Sequence, residues 1–400
     1  MRITHIQGGS ISGGARIAME RIGNLGQGNT SNFLYLQRKT HPNKIFESII
    51  GSYRYRIEGL LFGWPQTFSI FRSMNRRSID RLAQTTDLIH LHAIHGSGLT
   101  LGDLKRLAKT VPTVWTVHDA GWVNILSRER YSDQNSTLTR YILSIFKSLG
   151  NFILRLRVRH AIKDISIISP SRWLSSELIR HFSLRQDQVA VIPNPVPDIF
   201  LDFDVSRELS RADLGIPTNI PVVTFAAWKA WKISGDQNKG YQQIAEMVRG
   251  LRTRYNFSFL LFGHEGQDVP ADLKAIWIRP DGSQKQVLKV YRAADCVVGA
   301  SLQESLSAVM QEAQALGTPC VSPGSTGYLD AIWDGRTGLF YEPGNAADFL
   351  EKVGIILEDT SLASEMSQTA RLRAKEKWGI PTIGSQYAQV YRAAAGRHTP

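Results

Sequence analysis

Cysteine is almost missing from this sequence: the 400 residues hold two, Cys296 and Cys320. Both fall in predicted strands, which excludes a disulfide framework and fits buried thiols in a reducing compartment. Long apolar runs are missing too, and none reaches the roughly 20 residues of a membrane-spanning helix. The start, Met1-Arg2-Ile3-Thr4-His5-Ile6-Gln7-Gly8, lacks a signal-peptide pattern and reads as a strand running into a glycine loop. Acid is in short supply: 35 Asp and Glu face 47 Lys and Arg, a formal charge of +12. Such an excess asks for an anionic partner, which could be nucleotide phosphate, a membrane surface or nucleic acid. Zinc knuckles, aromatic ribonucleoprotein motifs and helix-turn-helix cues are absent, which sets nucleic acid aside. A G-x-G-x-x-G turn is absent as well. Gly8-Gly9-Ser10-Ile11-Ser12-Gly13 has other spacing, which argues against a nicotinamide-dependent oxidoreductase.

What is present is an alternation of strands and helices long enough for two or three domains. Hydrophobic residues make up 42% and charged residues 20%, ordinary for a globular protein. Strands are predicted at Ile3–Ile6, Thr30–Leu36, Asp87–His92, Pro112–Asp119, Ile165–Ser169, Pro221–Ala227, Phe259–His264 and Ala275–Pro280. The prolines of Val189-Ala190-Val191-Ile192-Pro193-Asn194-Pro195-Val196 mark a linker, and the boundary is placed near 200.

The most informative stretch runs from Ala294 to Ser322. Ala294-Asp295-Cys296-Val297-Val298-Gly299-Ala300 reads as a buried strand. After Ser305, apolar residues at Leu306, Val309, Met310, Ala313 and Leu316 have helical spacing. Gly317 stops that helix and Thr318-Pro319-Cys320-Val321-Ser322 begins another strand. A helix start offers free N–H groups and partial positive charge, so Ser305, Leu306 and Ser307 are expected to face a phosphate. Glu312 lies about 10 Å further along the axis at 1.5 Å per residue. There it can accept hydrogen bonds from ribose hydroxyls, while Glu304 in the loop meets whatever hangs from the far phosphate. The competing reading is two solvated glutamates beside an ordinary helix.

The spacing Glu304 to Glu312 matches the E-x7-E motif of retaining glycosyltransferases of the GT-B fold. The whole run, through Gly317-Thr318-Pro319 and Gly335-Arg336-Thr337-Gly338-Leu339, resembles glycosyltransferase family 4, with Leu306 and Ser307 where Phe and Gly are usual. Further segments resemble the family in its own order. Pro112-Thr113-Val114-Trp115-Thr116-Val117-His118-Asp119 resembles a T-x-H-D strand end, which implies that His118 reaches the donor sugar. Gly13-Gly14-Ala15 resembles the first loop, whose backbone approaches donor phosphate or acceptor; glycine permits that approach. Lys239-Gly240 resembles the K-G whose lysine neutralises the diphosphate. The family's arginine near the preceding strand end is missing. Trp228 stands there with Lys229 and Lys232, and either lysine can supply a point charge but not a bidentate fork. Ile278 and Arg279 lie where relatives read the nucleobase edge with backbone.

The resemblance implies an α/β chain of the GT-B fold, two Rossmann-like domains facing each other across a cleft. They are residues 1–200 on the acceptor side and 201–377 on the donor side, with a helix 378–395 packing back on the first. It implies a retaining transferase that moves sugar from a nucleotide-diphosphate sugar to a glycan or lipid-linked acceptor in polysaccharide or glycoconjugate assembly. Catalytic roles fall to His118 and Glu304, donor-binding roles to Glu312, Lys239, Lys232, Ser305, Leu306, Ser307, Arg279, Ile278 and Gly14. No metal or other cofactor is expected. Asp202-Phe203-Asp204 resembles a metal-binding D-x-D but sits in the linker and reads as solvated acids. His90, His92 and His95 lack zinc-site spacing and read as polar residues at a cleft edge. The segment 140–163 contains no acid and is basic and amphipathic. It fits either an anionic membrane interface or a packed helix with a solvated face. The expected location is cytoplasmic, either free or peripheral on the inner face of the membrane. A non-catalytic subunit or binding module of the same fold is the alternative.

Overall fold

The chain folds into two all-parallel sheets, and two inner strands of the second, Val222–Ala226 and Ser258–Phe262, are buried throughout and read as the near-continuous apolar runs that burial on both faces requires. The computed structural model describes residues 1–8, 14–26, 28–36, 76–94, 99–119, 152, 155–227, 239–263 and 269–398. By contacts these form two units: Met1–Ile192 with Gly384–Pro400, and Pro193–Ile383. The division falls inside the proline stretch, a few residues before the expected position near 200. The reason is local: Val196 N donates to Trp378 O at 2.9 Å and Gln311 Nε2 to Asn194 O at 3.1 Å, which ties residues 194–196 to the second unit.

In the first unit, β1 (Arg2–Gly8), β2 (Thr30–Leu36), β3 (Leu88–Leu91), β4 (Thr113–Thr116), β5 (Ser166–Ser169) and β6 (Val189–Val191) pair in the order β2-β1-β3-β4-β5-β6. Their register sets His5 of β1 opposite His90 of β3. The core includes Ile6, Ile89, Leu91, Leu104, Trp115, Ile167 and Leu178. The helix Leu101–Thr110 that covers it is started by a capping box between Thr100 and Asp103.

In the second unit, β7 (Val222–Ala226), β8 (Ser258–Phe262), β9 (Ala275–Ile278), β10 (Cys296–Val298), β11 (Cys320–Pro323) and β12 (Gly338–Tyr341) take the order β12-β11-β10-β7-β8-β9. Counted within this unit, that is the Rossmann order 3-2-1-4-5-6. Alternate residues divide between two cores: Val222, Leu260 and Phe262 on one side of the sheet, Val223, Phe259 and Leu261 on the other. Each such side chain, fully buried, contributes about 1.5–3 kcal/mol. Cys296 and Cys320 are buried free thiols. Asp295, ahead of β10, is held by Arg207 at 2.9 Å, by Arg211 at 2.5 Å and by Val222 N at 2.7 Å, which anchors the start of the strand.

The helix expected over 378–395 forms at Ile380–Arg397, and Trp378 ends the preceding helix, Thr360–Trp378. Within 140–163, residue 152 and residues 155–162 are helical, and the remainder up to 154 lies outside the described residues. Val158, Ala161 and Ile162 are buried there, while Arg157 and Arg159 are exposed. Among the described residues, no helix is long and apolar enough to cross a membrane.

Candidate functional site

In an open parallel sheet, ligands bind outside the carboxyl ends of the strands where the strand order reverses. In the second unit that point lies between β7 and β10. The segment after β7 returns at Lys239-Gly240, ahead of the helix Tyr241–Arg252. Gly240 has a φ of +69°, and a Cβ there would stand 1.9 Å from the carbonyl oxygen of Ala300, just past β10. Only glycine allows that approach. It sets Lys239 beside the loop leaving β10, where its Nζ lies 2.7 Å from Glu304 Oε1.

Three contacts hold that loop. Ser301 N donates to Tyr328 Oη at 3.3 Å, Glu304 N donates to Thr326 Oγ1 at 3.2 Å, and Glu304 O accepts from Gly327 N at 2.9 Å. Gly327 packs so closely that a Cβ would stand 2.3 Å from Ser305 O. Thr326 has a φ of +53°. For a β-branched residue this conformation costs on the order of 1–3 kcal/mol, and such strain tends to gather at ligand-binding sites. Burial, and next the Glu304 carboxylate, push the Tyr328 phenol well above its usual range, so it stays protonated.

The helix begins later than its apolar periodicity indicates. It spans Ala308–Ala315, with Ser307 as the N-cap accepting from Met310 N. The expected start at Ser305 is therefore corrected. Ser305 and Leu306 belong to the loop, so their N–H groups are not those of a helix terminus. Leu306 is buried in the apolar core and anchors the loop from below. Ser307 has extended geometry and closes the first turn, as a serine cap does. The first-turn N–H groups are those of Ala308 and Val309. Glu312 lies one turn on and is 8% exposed.

The remaining expected residues are more scattered. Ile278 closes β9, the edge strand, two strands away from β7. Arg279 is exposed, and its carbonyl accepts from Gln286 Nε2 at 2.9 Å. Gly14 opens the helix Gly14–Gly23, and a Cβ there would meet nothing within 4 Å. Lys232 lies outside the described residues, as do Trp228, Lys229 and His95. Asp202 and Asp204 are both exposed.

In the first unit the strand order reverses between β1 and β3, and four histidines gather beside that point. His118 follows β4 and is 8% exposed. Its Nε2 lies 2.9 Å from His92 Nδ1, and His92 Nε2 lies 3.0 Å from His5 Nδ1. His90 sits 2.7 Å from Thr116 Oγ1 through Nε2 and 2.9 Å from Tyr391 Oη through Nδ1. Burial holds His5 and His118 down to about 4, against a pull upward from Asp119 on the latter. It holds His90 and His92 well below the usual imidazole range, with the neighbouring histidines adding to the effect. All four are neutral at pH 7. His90 and His92 are thus buried, not edge residues as expected: the last helix covers His90 with Tyr391. The sequence alone gives His5, Tyr391 and Tyr387, whose ring lies 5.7 Å from that of His90, no part in this cluster. The available signal is the two-residue alternation of β1, which sets His5 on the side that its neighbour β3 fills with His90.

Comparison with known proteins matches both halves. The model for "Glycosyltransferase Family 4" covers residues 38–198 and that for "Glycosyl transferases group 1" residues 234–373, together about three quarters of the chain. The chain belongs to glycosyltransferase family 4. Its fold is GT-B. A glycosyltransferase from Rickettsia africae superposes with a TM-score of 0.67 at 16% identity, over 98% of both chains. Anabaena HepE, solved in complex with UDP-glucose, gives 0.64 at 18% identity, over 98% of this chain and 100% of that one. Among curated family relatives, the D-inositol 3-phosphate glycosyltransferase of Streptomyces scabiei is 30% identical over 237 residues, 56% of this chain and 53% of the relative. That of Arthrobacter is 29% identical over 230 residues, 54% of each. The chain thus spans about half the length of these curated relatives.

Proposed function

We propose that the chain is a retaining glycosyltransferase whose second unit holds a nucleotide-diphosphate sugar. The observation that carries this reading is the Lys239–Glu304 ion pair at the β7/β10 switch point, ahead of a serine-capped helix that bears Glu312. On this reading Lys239 and the N–H groups of Ala308 and Val309 receive the diphosphate, Glu312 accepts from ribose hydroxyls, and Glu304 orients the sugar. His118 in the first unit is assigned to a sugar hydroxyl. Cleavage puts negative charge on the leaving diphosphate, and cationic groups set there beforehand lower the barrier. No carboxylate is assigned as a covalent nucleophile, and no metal is assigned to Asp202 or Asp204.

The acceptor class proposed is a glycan or lipid-linked sugar. The names of the curated relatives add inositol phosphate to the acceptors worth testing, and HepE makes UDP-glucose the first donor to try. Donor hydrolysis or transfer by the purified chain, lost in Glu312→Ala, supports the reading. A purified, folded chain inert toward UDP, GDP and ADP sugars would favour a non-catalytic binding module. The lack of an arginine ahead of Lys239 gives that second reading its footing.

A further inference from the structure

At the amino ends of β4, β5 and β6 the first unit has a cavity of about 560 Å³. It is bordered by the end of the helix Leu101–Thr110, by residues just ahead of each of the three strands, and by the end of the last helix, Ile380–Arg397. Thr113, which opens β4, lines it. His118 lies past the other end of that strand, roughly 16 Å on at 3.3 Å per residue. The cavity is thus no part of the site beside the histidines.

Its lining is strongly cationic. Among the described residues, Lys109, Lys163, Arg185 and Arg397 border it, together with His398. They come from separate segments of the chain, so the fold and not a local basic run brings them together. Two carboxylates oppose them. Asp187 accepts from Arg185 Nε at 2.9 Å and Nη2 at 3.2 Å, and Asp164 lines the cavity itself. Arg185 above all, with Arg397 adding to it, holds the Asp187 carboxyl below its usual range, which sets both guanidinium groups near one acid. Arg397 also donates to Ser166 Oγ at the start of β5. Lys109 and Lys163 are exposed and have no ion-pair partner among the described residues. Four cations against two acids leave two positive charges in excess, with His398 left out of the count.

The neutral polar groups add few donors. Thr113 Oγ1 donates to Val111 O at 2.8 Å, and Gln188 Nε2 to Ile162 O at 3.0 Å. His398 Nε2 is buried and has no hydrogen-bond partner among the described residues. The volume is that of a small-molecule site, but the apolar lining is only Ala108, Pro112, Ile165 and Ala394, which suits a polar ligand. A phosphate monoester carries about −1.5 to −2 charges at pH 7, which matches the excess. A guanidinium meets it as a bidentate fork and an ammonium as a point charge.

We propose that this cavity binds a phosphomonoester, with Arg397, Lys163 and Lys109 on the phosphate and Arg185 neutralising Asp187. The last helix also carries Tyr391, which meets His90 at 2.9 Å and lies about 9 Å along the axis from Arg397 at 1.5 Å per residue. A ligand that ties Arg397 down therefore steadies the helix behind the histidine cluster. A soluble glycerol or sugar phosphate and the headgroup of phosphatidic acid offer the same group, and the experiment separates these sources. Binding there does not depend on whether the chain transfers sugar.

The test is isothermal titration of the full chain with glycerol 3-phosphate, beside sedimentation with phosphatidylcholine vesicles that contain phosphatidic acid or, at equal charge, phosphatidylglycerol. Saturable titration assigns the site to a soluble phosphomonoester. Sedimentation selective for phosphatidic acid, without titration, assigns it to the lipid. Either result supports the site if Lys163→Gln and Arg397→Gln each weaken binding at least tenfold, the loss of one charge-assisted hydrogen bond. Lys239→Met, which removes the other place proposed for phosphate, should leave this binding as it was. Lys163 is exposed, so Lys163→Gln should fold normally and decides alone if Arg397→Gln does not fold. Three results would overturn the proposal: no selective binding in either arm, unchanged affinity in the folded glutamine variants, or loss of binding in Lys239→Met. A chain inert toward sugar donors that still binds phosphate in this way would contradict the proposed function alone.

Discussion

Lys239 Nζ and Glu304 Oε1 stand 2.7 Å apart across the β7/β10 switch point, and both side chains are mostly buried, 29% and 16% exposed. Without ligand each holds the other in place. A diphosphate would compete with Glu304 for the lysine. Lys239→Met should therefore weaken donor binding roughly ten- to hundredfold, the 1.5–3 kcal/mol of a charge-assisted hydrogen bond. Isothermal titration with the donor reads this directly, and an unchanged dissociation constant would reject the role given to Lys239.

Gly327→Ala should disturb the loop without touching any charge. The added methyl would press on the backbone oxygens of Ser305 and Glu304, at 2.3 and 2.7 Å. Overpacking of this kind costs about 1–3 kcal/mol. Thermal denaturation should show the loss, and donor affinity should fall along with it because Glu304 moves. A variant with native melting temperature and affinity would show that the loop is not held by this contact.

The strands are legible in the sequence because parallel strands covered on both faces are written as short apolar runs between turns. Val222–Ala226 and Ser258–Phe262 are of that kind. The helix start is displaced by three residues because Leu306 continues the apolar periodicity while serving the core from a loop. Serine at both 305 and 307 also offers two candidate caps. Pairing of Lys239 with Glu304 joins residues far apart in the chain, and only the strand order brings them together. The histidine cluster is half legible. Alternation places His90 and His92 on one face, but His5 joins them through the register of β1 on β3 and Tyr391 through the last helix. Neither is written locally.

Stability should fall in mild acid. His5 and His118 are held down to about 4 when folded, and an unfolded histidine titrates near 6.5. Below that value the unfolded chain binds more protons, so stability is full above about pH 6.5 and declines as pH drops toward 4. His90 and His92, lowered in the same direction, extend the loss. Each histidine contributes up to about 1.4 kcal/mol per pH unit in that window. Denaturant midpoints across pH 4–8 measure it, and replacing His5 with Phe should flatten the slope. A midpoint independent of pH in this range would contradict neutral burial.

Surface binding by the basic helix is testable on its described part. Arg157 and Arg159 are exposed and Arg155 is half-buried, beside exposed Leu156 and Phe152. Changing the three arginines to glutamine should reduce sedimentation with anionic phospholipid vesicles, each charge being worth about 1 kcal/mol, and leave binding to neutral vesicles as it was. Equal sedimentation of both proteins would assign those charges to a solvated face alone.

The most direct measurement is calorimetric titration of the purified chain with UDP-glucose and the other UDP, GDP and ADP sugars, repeated on Glu312→Ala. One donor is expected to bind, and the alanine variant, still folded by circular dichroism, is expected to bind it at least tenfold more weakly. Equal affinity in the two proteins would contradict it.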